Sequence, residues 1–271
     1  MLLTCTRPPH LEHPMSFDLL ALARRLECAQ ALQNERFNQA AGGRSLPVGG
    51  GFAHFRGGAH PLNQALGLLG PLSDEDLDAI ETFLGFPTVL ELSPVADPSL
   101  WPALAARGYA LHQFQQMWVH TLEACDAGPA SPSIRMALPA EADLFNRVVC
   151  AGFMEQDRWE TLEPPFTVSL EVPDSHGFLA FVEGQPAGGG MLGLVEGVAL
   201  LSGDAVLPRF RGRGLQKALI RARLALARAR GCELAGASTA PGTASQSAYE
   251  ACGFRVAYPK VEMVRTAGSR A

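Results

Sequence analysis

The sequence predicts an α+β fold built from two like units in tandem, each a mixed, largely antiparallel sheet flanked by helices. Three observations carry this. The chain has 271 residues, room for about two ordinary domains, and it is 47 % hydrophobic against 18 % charged, ample for buried cores. The two halves end alike: Ala106-Arg107-Gly108-Tyr109 matches Ala251-Cys252-Gly253-Phe254 at an offset of 145, and both stand in the order strand, helix, Gly-aromatic, strand. Between the halves runs Glu123 to Ser133, made of small residues with two prolines. The organisation expected is a loose tail at 1–14, a first unit at 15–123, a linker at 124–133 and a second unit at 134–271.

Taken in order, residues 1–14 hold three prolines and no hydrophobic period. From Phe17 to Phe37, Leu19, Leu20, Ala23, Leu26, Ala29 and Leu32 recur at helical spacing. Leu46 to Phe55, interrupted by Gly49-Gly50-Gly51, and Asn63 to Leu69 read as short strands. Ser73 followed by Asp76 is a capping-box signature, opening a helix with Leu77, Ile80, Phe83 and Leu84 inward. Thr88 to Leu92 reads as a buried strand, Ser99 to Arg107 as a helix stopped by Gly108, and Tyr109 to Leu122 as strand.

In the second half, Ile134 to Met136 is a short strand and Ala142 to Ala151 a helix ending at Gly152. Residues 153–175 are irregular, with three prolines. Phe178 to Val182 and Ala187 to Leu194 make a hairpin, and Val198 to Leu207 a further strand. The helix from Leu215 to Arg230 is expected to bury Leu215, Leu219, Ala222 and Leu226 and to carry Arg and Lys on its other face. Leu234 to Ser238 reads as strand, Thr243 to Cys252 as helix, and Arg255 to Arg265 as two closing strands.

Composition excludes several classes. A net charge of −5 argues against broad nucleic-acid coating. The six cysteines form no CxxC pair, and His10 and His13 are the one close histidine pair, so neither a structural metal nor a disulfide scaffold is expected. The sequence has no apolar run long enough to span a membrane, and Met1-Leu2-Leu3-Thr4-Cys5 is a poor signal peptide; the expected compartment is the cytoplasm.

Against that acidic background one stretch stands out. From Arg209 to Arg230 there are seven Arg and one Lys and no Asp or Glu. The stretch Arg211-Gly212-Arg213-Gly214 separates a strand end from a helix start. Unpaired N–H groups and the partial positive charge of a helix N-terminus favour a phosphate there, and glycines let the backbone approach it. The pattern predicts a pyrophosphate cradle.

Two motifs make residues 134–265 resemble the GNAT superfamily of N-acetyltransferases. Leu207-Pro208-Arg209-Phe210-Arg211-Gly212-Arg213-Gly214-Leu215-Gln216 is similar to the family's Arg/Gln-x-x-Gly-x-Gly/Ala motif preceded by Pro-x-aromatic, framed on Arg211 and Gly214, with Gln216 where Gly or Ala is usual. Tyr249-Glu250-Ala251-Cys252-Gly253-Phe254 is similar to Tyr-x-x-x-Gly-Phe. The resemblance implies acetyl-CoA as co-substrate and no metal, with Gly212, Arg213, Gly214, Leu215, Gln216, Lys217 and Arg211 at its pyrophosphate and Asp204, Ala205 and Val206 along its pantetheine arm. It further implies the Val206 amide as oxyanion donor and Tyr249 as the acid that protonates the leaving thiolate. For a general base it offers Glu155, Asp157 and Glu160, in the region that family members use for the acceptor, with Asp204 as another candidate; the choice stays open.

The first half resembles a degenerate copy. Where the second has its basic turn, the first has Pro71-Leu72-Ser73-Asp74-Glu75-Asp76, whose acids repel a phosphate, and Leu104 stands where the second has Tyr249. The first half is thus expected to bind no CoA and to wall the acceptor site, and residues 134–271 alone are expected to bind CoA. The expected activity is transfer of an acetyl group to a primary amine of a small molecule or protein, by a monomer or homodimer without nucleic-acid or membrane partners. The alternative is a catalytically weak CoA-binding regulatory or scaffold protein.

Overall fold

A computed structural model describes residues 19–124 and 133–268, so the tail at 1–14 and residues 125–132 of the linker lie outside the described residues. The first half runs α1 (Leu19–Ala40), β1 (Arg44–Val48), β2 (Gly51–Phe55), β3 (Gln64–Leu66), α2 (Asp74–Leu84), β4 (Thr88–Leu92), α3 (Leu100–Ala106) and β5 (Ala110–Thr121). The second half runs β6 (Ile134–Met136), α4 (Ala142–Phe153), β7 (Ser175–Val182), β8 (Gln185–Val195), β9 (Val198–Val206), α5 (Leu215–Ala229), β10 (Leu234–Thr239), α6 (Ala244–Ala251) and β11 (Arg255–Arg265). Among the described residues no helix is long and apolar enough to cross a membrane.

Local chemistry accounts for most of these boundaries. The glycine run at 49–51 is the turn of a hairpin, with Gly49 and Gly50 at φ 59° and 86°, a region closed to most side chains. At α2 the capping box forms: Ser73 Oγ accepts the Asp76 N–H at 3.1 Å, and the Ser73 N–H donates to the Asp76 carboxylate at 2.9 Å. Helix α4 does not stop at Gly152 but continues to Phe153. A Cβ on Gly152 would lie 2.8 Å from that of Ala205, so this glycine allows close approach of helix to strand rather than ending the helix. The two strands expected over 255–265 are one, β11, bent by irregularities between Val256 and Tyr258 and between Glu262 and Met263 that do not end it.

The eleven strands of the described residues join in one sheet, ordered β1-β2-β3-β4-β11-β5-β10-β9-β8-β7-β6. The order contains an exchange. Strand β5, from the first half, pairs antiparallel with β10 on one side and β11 on the other. Strand β11, from the second half, lies between β5 and β4. Each half therefore lends its last strand to the other.

Helix α1 crosses the same junction. Leu22, Ala23 and Leu26 pack with Val195, Val198 and Leu200 of the second half, and Phe37 packs with Phe145 and Met191. Its one buried acid, Glu27, lies 2.9 Å from Lys260 on β11, which lies 2.5 Å from Glu91 on β4. Tyr258 donates to Glu27 at 2.8 Å, and Lys260 to Gln30 at 3.0 Å. This buried cluster ties α1, β4 and β11 together. Helices α5 and α6 cover the opposite face over Leu192, Leu201, Ala235 and Ala237.

Candidate functional site

The site begins where β9 and β10 part. They pair in parallel only from Val198 to Leu201 and from Leu234 to Ala237. On the other edge of β9 the register with β8 jumps, Ser202 facing Met191 and Ala205 facing Gly189. Two residues, Gly203 and Asp204, thus oppose one, Gly190, in a bulge whose Gly203 has φ 65°. The bulge turns the end of β9 away from β10 and opens the sheet beside the N-termini of α5 and α6.

A cavity of about 580 Å³ fills that opening. Asp204, Ala205 and Val206 line it from β9, and Arg211, Gly212, Gly214, Leu215, Gln216 and Lys217 line it from the turn and α5. Gly212 and Gly214 have φ 74° and 76°, and a Cβ on either would meet nothing within 4 Å, so the backbone faces open space. The N–H groups of Leu215 to Lys217 precede the first helical bond, from the Ala218 N–H to the Gly214 carbonyl, leaving donors aimed out of the helix end. Gln216 donates to Ser245 at 2.9 Å, bracing α5 against α6 across the cavity. Arg213 is not in the lining; it and Arg209 lie over the Phe210 ring, at 5.7 and 4.8 Å from its centroid.

An adjoining cavity of about 270 Å³ runs into the parting itself and is lined by Tyr249, Asp204, Thr243 and Ser245. Here a buried triad forms. The Tyr249 hydroxyl donates to one oxygen of Asp204, and the guanidinium of Arg223 pairs with the other. Arg223 is fully buried, donating also to the carbonyls of Met191 at 2.9 Å, Ser202 at 3.4 Å and Leu219 at 3.1 Å. It thereby bonds both strands of the bulge. Burial first, and then the Asp204 charge, push the Tyr249 phenol well above its ordinary value.

The basic face expected of α5 is interrupted here. Its buried residues are Leu215, Leu219, Ile220, Arg223, Leu224 and Ala227, while Ala222 and Leu226 are only half-buried. Periodicity placed Arg223 with the solvated cations, whereas Asp204 and three carbonyls hold it inside. Its trace in the sequence is Gly188-Gly189-Gly190: a Cβ on Gly190 would lie 2.8 Å from the guanidinium, a close approach that glycine in a strand often marks.

The acidic candidates are dispersed. Glu155 lines the larger cavity but forms a two-pronged pair with Arg211, at 2.5 and 2.9 Å, which holds its carboxyl below the ordinary range. Arg211 also donates to the carbonyls of Val206 and Gly152, at 3.1 and 3.2 Å. Asp157 accepts the Arg209 N–H at 2.8 Å, and the Glu160 carbonyl accepts from Arg147 at 3.1 Å; neither residue lines the cavities. In the first half the corresponding helix end is filled by its own residues: Ser73 and Asp76 cap α2, and Arg107 pairs with Asp74 at 2.9 Å and Asp78 at 2.6 Å.

Residues 143–254 match the model of the acetyltransferase (GNAT) family. This segment is a GNAT domain. The match stops at Phe254, where β11 departs for the first half's part of the sheet. Solved structures share the fold of nearly the whole chain. A GCN5-related N-acetyltransferase from Kribbella flavida covers 91 % of this chain and 96 % of its own, at a TM-score of 0.63 and 15 % identity. A tandem GNAT protein from the clavulanic acid biosynthesis pathway covers 93 % of this chain and 96 % of its own, at 0.54 and 15 %. A functionally unknown conserved protein from Staphylococcus epidermidis covers 76 % and 86 %, at 0.52 and 12 %. No curated protein matches the sequence. The chain thus has a tandem GNAT fold, and the glycine turn before α5, the parted strands and Tyr249 all lie within the matched segment.

Proposed function

We propose that the protein is an acetyl-CoA-dependent N-acetyltransferase whose donor site is the cavity between α5 and α6. The observation that carries this is the α5 N-terminus, with two left-handed glycines and outward N–H groups, opening onto about 580 Å³ beside the bulged end of β9. In this reading the amides from Gly212 to Lys217 hold the pyrophosphate, and the Asp204–Val206 edge holds the pantetheine arm. The Val206 N–H stabilises the oxyanion as a neutral amine attacks the thioester carbonyl. Removal of one such donor costs about 3 kcal/mol in other enzymes.

The thiolate that leaves needs a proton, and Tyr249 is the phenol that lines the adjoining cavity. Its proton lies toward Asp204, so donation means turning it from the carboxylate to the sulfur. Arg223 then faces both the carboxylate and the new phenolate; with the C–N bond formed and the C–S bond broken, the acylated nitrogen sheds its surplus proton to solvent, and the phenolate takes one up to restore Tyr249. That same commitment of the hydroxyl to Asp204 favours a second reading, a CoA-binding module without appreciable turnover.

Calorimetry with acetyl-CoA tests the donor site. The wild type should bind, and Gly214→Glu, which sets a carboxylate on a left-handed backbone at the helix end, should not. Equal affinity of the two proteins would remove the cradle.

A further inference from the structure

A third cavity, of about 210 Å³, lies on the sheet face covered by α1. It shares Ser202, Gly203 and Ser238 with the cavity lined by Tyr249, which shares Asp204, Thr243 and Ser245 with the donor cavity. The three thus adjoin in series along the parted strands, from the α5 N-terminus to the underside of α1.

No residue lining this third cavity carries a charge. Helix α1 contributes the amides of Gln30, Gln33 and Asn34, the strands contribute the hydroxyls of Ser202 and Ser238, and the remainder is apolar. Gln30 is committed, donating to Glu91 at 3.1 Å and accepting from Lys260 at 3.0 Å. Gln33 is different. Its side chain is buried, with 4 % exposure, its Oε1 has no hydrogen-bond partner, and it is packed against Gly193, where a Cβ would fall 2.0 Å from its amide nitrogen. That oxygen is sealed off by packing, and the rest of the Gln33 side chain lines the cavity, where its amide is available to a ligand.

Resting on the donor reading above, we propose that this cavity receives the acceptor and that the Gln33 amide hydrogen-bonds it. The acceptor class is a small primary amine whose remainder is uncharged and hydrogen-bonding, such as an amino alcohol or amino amide. Uncharged walls disfavour the ammonium form and so favour the neutral amine that attacks. The environment thereby does part of the work of a general base, for which the site offers no unpaired carboxylate: Glu155 is held by Arg211, and Asp204 by Arg223 and Tyr249. A second ammonium or a carboxylate on the acceptor would find no counter-ion, because Arg223 and Lys260 are already paired. The first half, through α1, then sets acceptor specificity.

Three amines of matched length separate the cases: 3-amino-1-propanol, 1,3-diaminopropane and β-alanine, assayed by release of CoA from acetyl-CoA. The amino alcohol should be acetylated with a kcat/KM at least about tenfold above the other two. Gln33→Leu should raise its KM about tenfold, the worth of a well-placed hydrogen bond, with acetyl-CoA affinity and melting temperature kept. The near-isosteric Gln33→Glu should shift preference toward diaminopropane. Preference of the wild type for the diamine or amino acid, an unchanged KM in Gln33→Leu, or no acetylation of any of the three by protein that binds acetyl-CoA would overturn the proposal. Failure of the wild type to bind acetyl-CoA would instead sink the donor reading.

Discussion

Replacing Arg223 with methionine keeps much of the volume of its stem and removes the guanidinium. That group is fully buried, and the side chain of Asp204 beside it is 6 % exposed, so water replaces neither partner. Stranding one member of a buried pair costs about 3–5 kcal/mol. The lost donors to Met191, Ser202 and Leu219 place Arg223→Met toward the upper end. In a chain of this size that corresponds to roughly 8–20 °C in melting temperature, read by calorimetry together with urea denaturation. Arg223→Met combined with Asp204→Leu removes both charges and should recover about 1–3 kcal/mol relative to the sum of the single variants. The same loss frees the bulge and Tyr249, so turnover should fall further than acetyl-CoA affinity. Unfolding of Arg223→Met within about 1 kcal/mol of wild type, or strict additivity in the double variant, would refute the role given to this residue.

Three further outcomes are expected. Tyr249→Phe should lower kcat by about 10²-fold or more with acetyl-CoA affinity kept; equal turnover in a stopped-flow or steady-state assay removes the acid role and favours the non-catalytic reading. Lys260→Met should destabilise by about 3–5 kcal/mol, since it strands Glu27 and Glu91. Glu27 is already held above its ordinary range, chiefly by burial and against the pull of Lys260, so without the lysine its folded-state pKa rises further. A raised carboxyl pKa gives stability that is present at low pH and lost as pH climbs through it; the deficit of Lys260→Met in urea should therefore shrink from pH 7.5 to pH 5, and a pH-independent deficit contradicts the cause. Finally, residues 134–271 alone lack β5, leaving β10 and β11 with an empty strand position between them. That fragment should fail to bind acetyl-CoA until co-expressed with residues 1–125, a result opposite to the one the sequence suggests; binding by the isolated fragment shows that the gap closes unaided.

Much of the fold was legible because its signals are local. The capping box at Ser73, the turn at Gly49-Gly50 and the Gly-aromatic ends at 108–109 and 253–254 each act within a few residues, and the two motifs that frame α5 and α6 do the same. The exchange of β5 and β11 was not legible, since two strands of similar pattern at the ends of two similar units are interchangeable in sequence. Only the three-dimensional junction, with α1 and the Glu27–Lys260–Glu91 cluster, distinguishes the pairings. In the site, the positions of Asp204, Val206, Gly214 and Tyr249 along one opening follow from motif and order. Arg223 did not follow, because an arginine among arginines on a helix reads as solvent-facing until its partner across the core is known. Gln33 lies more than 150 residues before the strands it faces, and no spacing rule reaches that far.

The exchanged strand also has a history in each molecule's own synthesis. Strand β5 ends at Thr121, and the first residue of its partner β10 is Leu234, so it is made long before anything it pairs with. At about 5–20 residues per second, roughly 6–23 s separate the two. For that interval a segment carrying Leu111, Phe114, Met117, Trp118 and Val119 has open backbone on both edges. Premature release or a stalled ribosome downstream of residue 121 would leave a sticky ribbon. Conditions that speed elongation past Leu234, or chaperones that hold nascent chains, should therefore govern the yield of active protein more than the stability of the finished sheet.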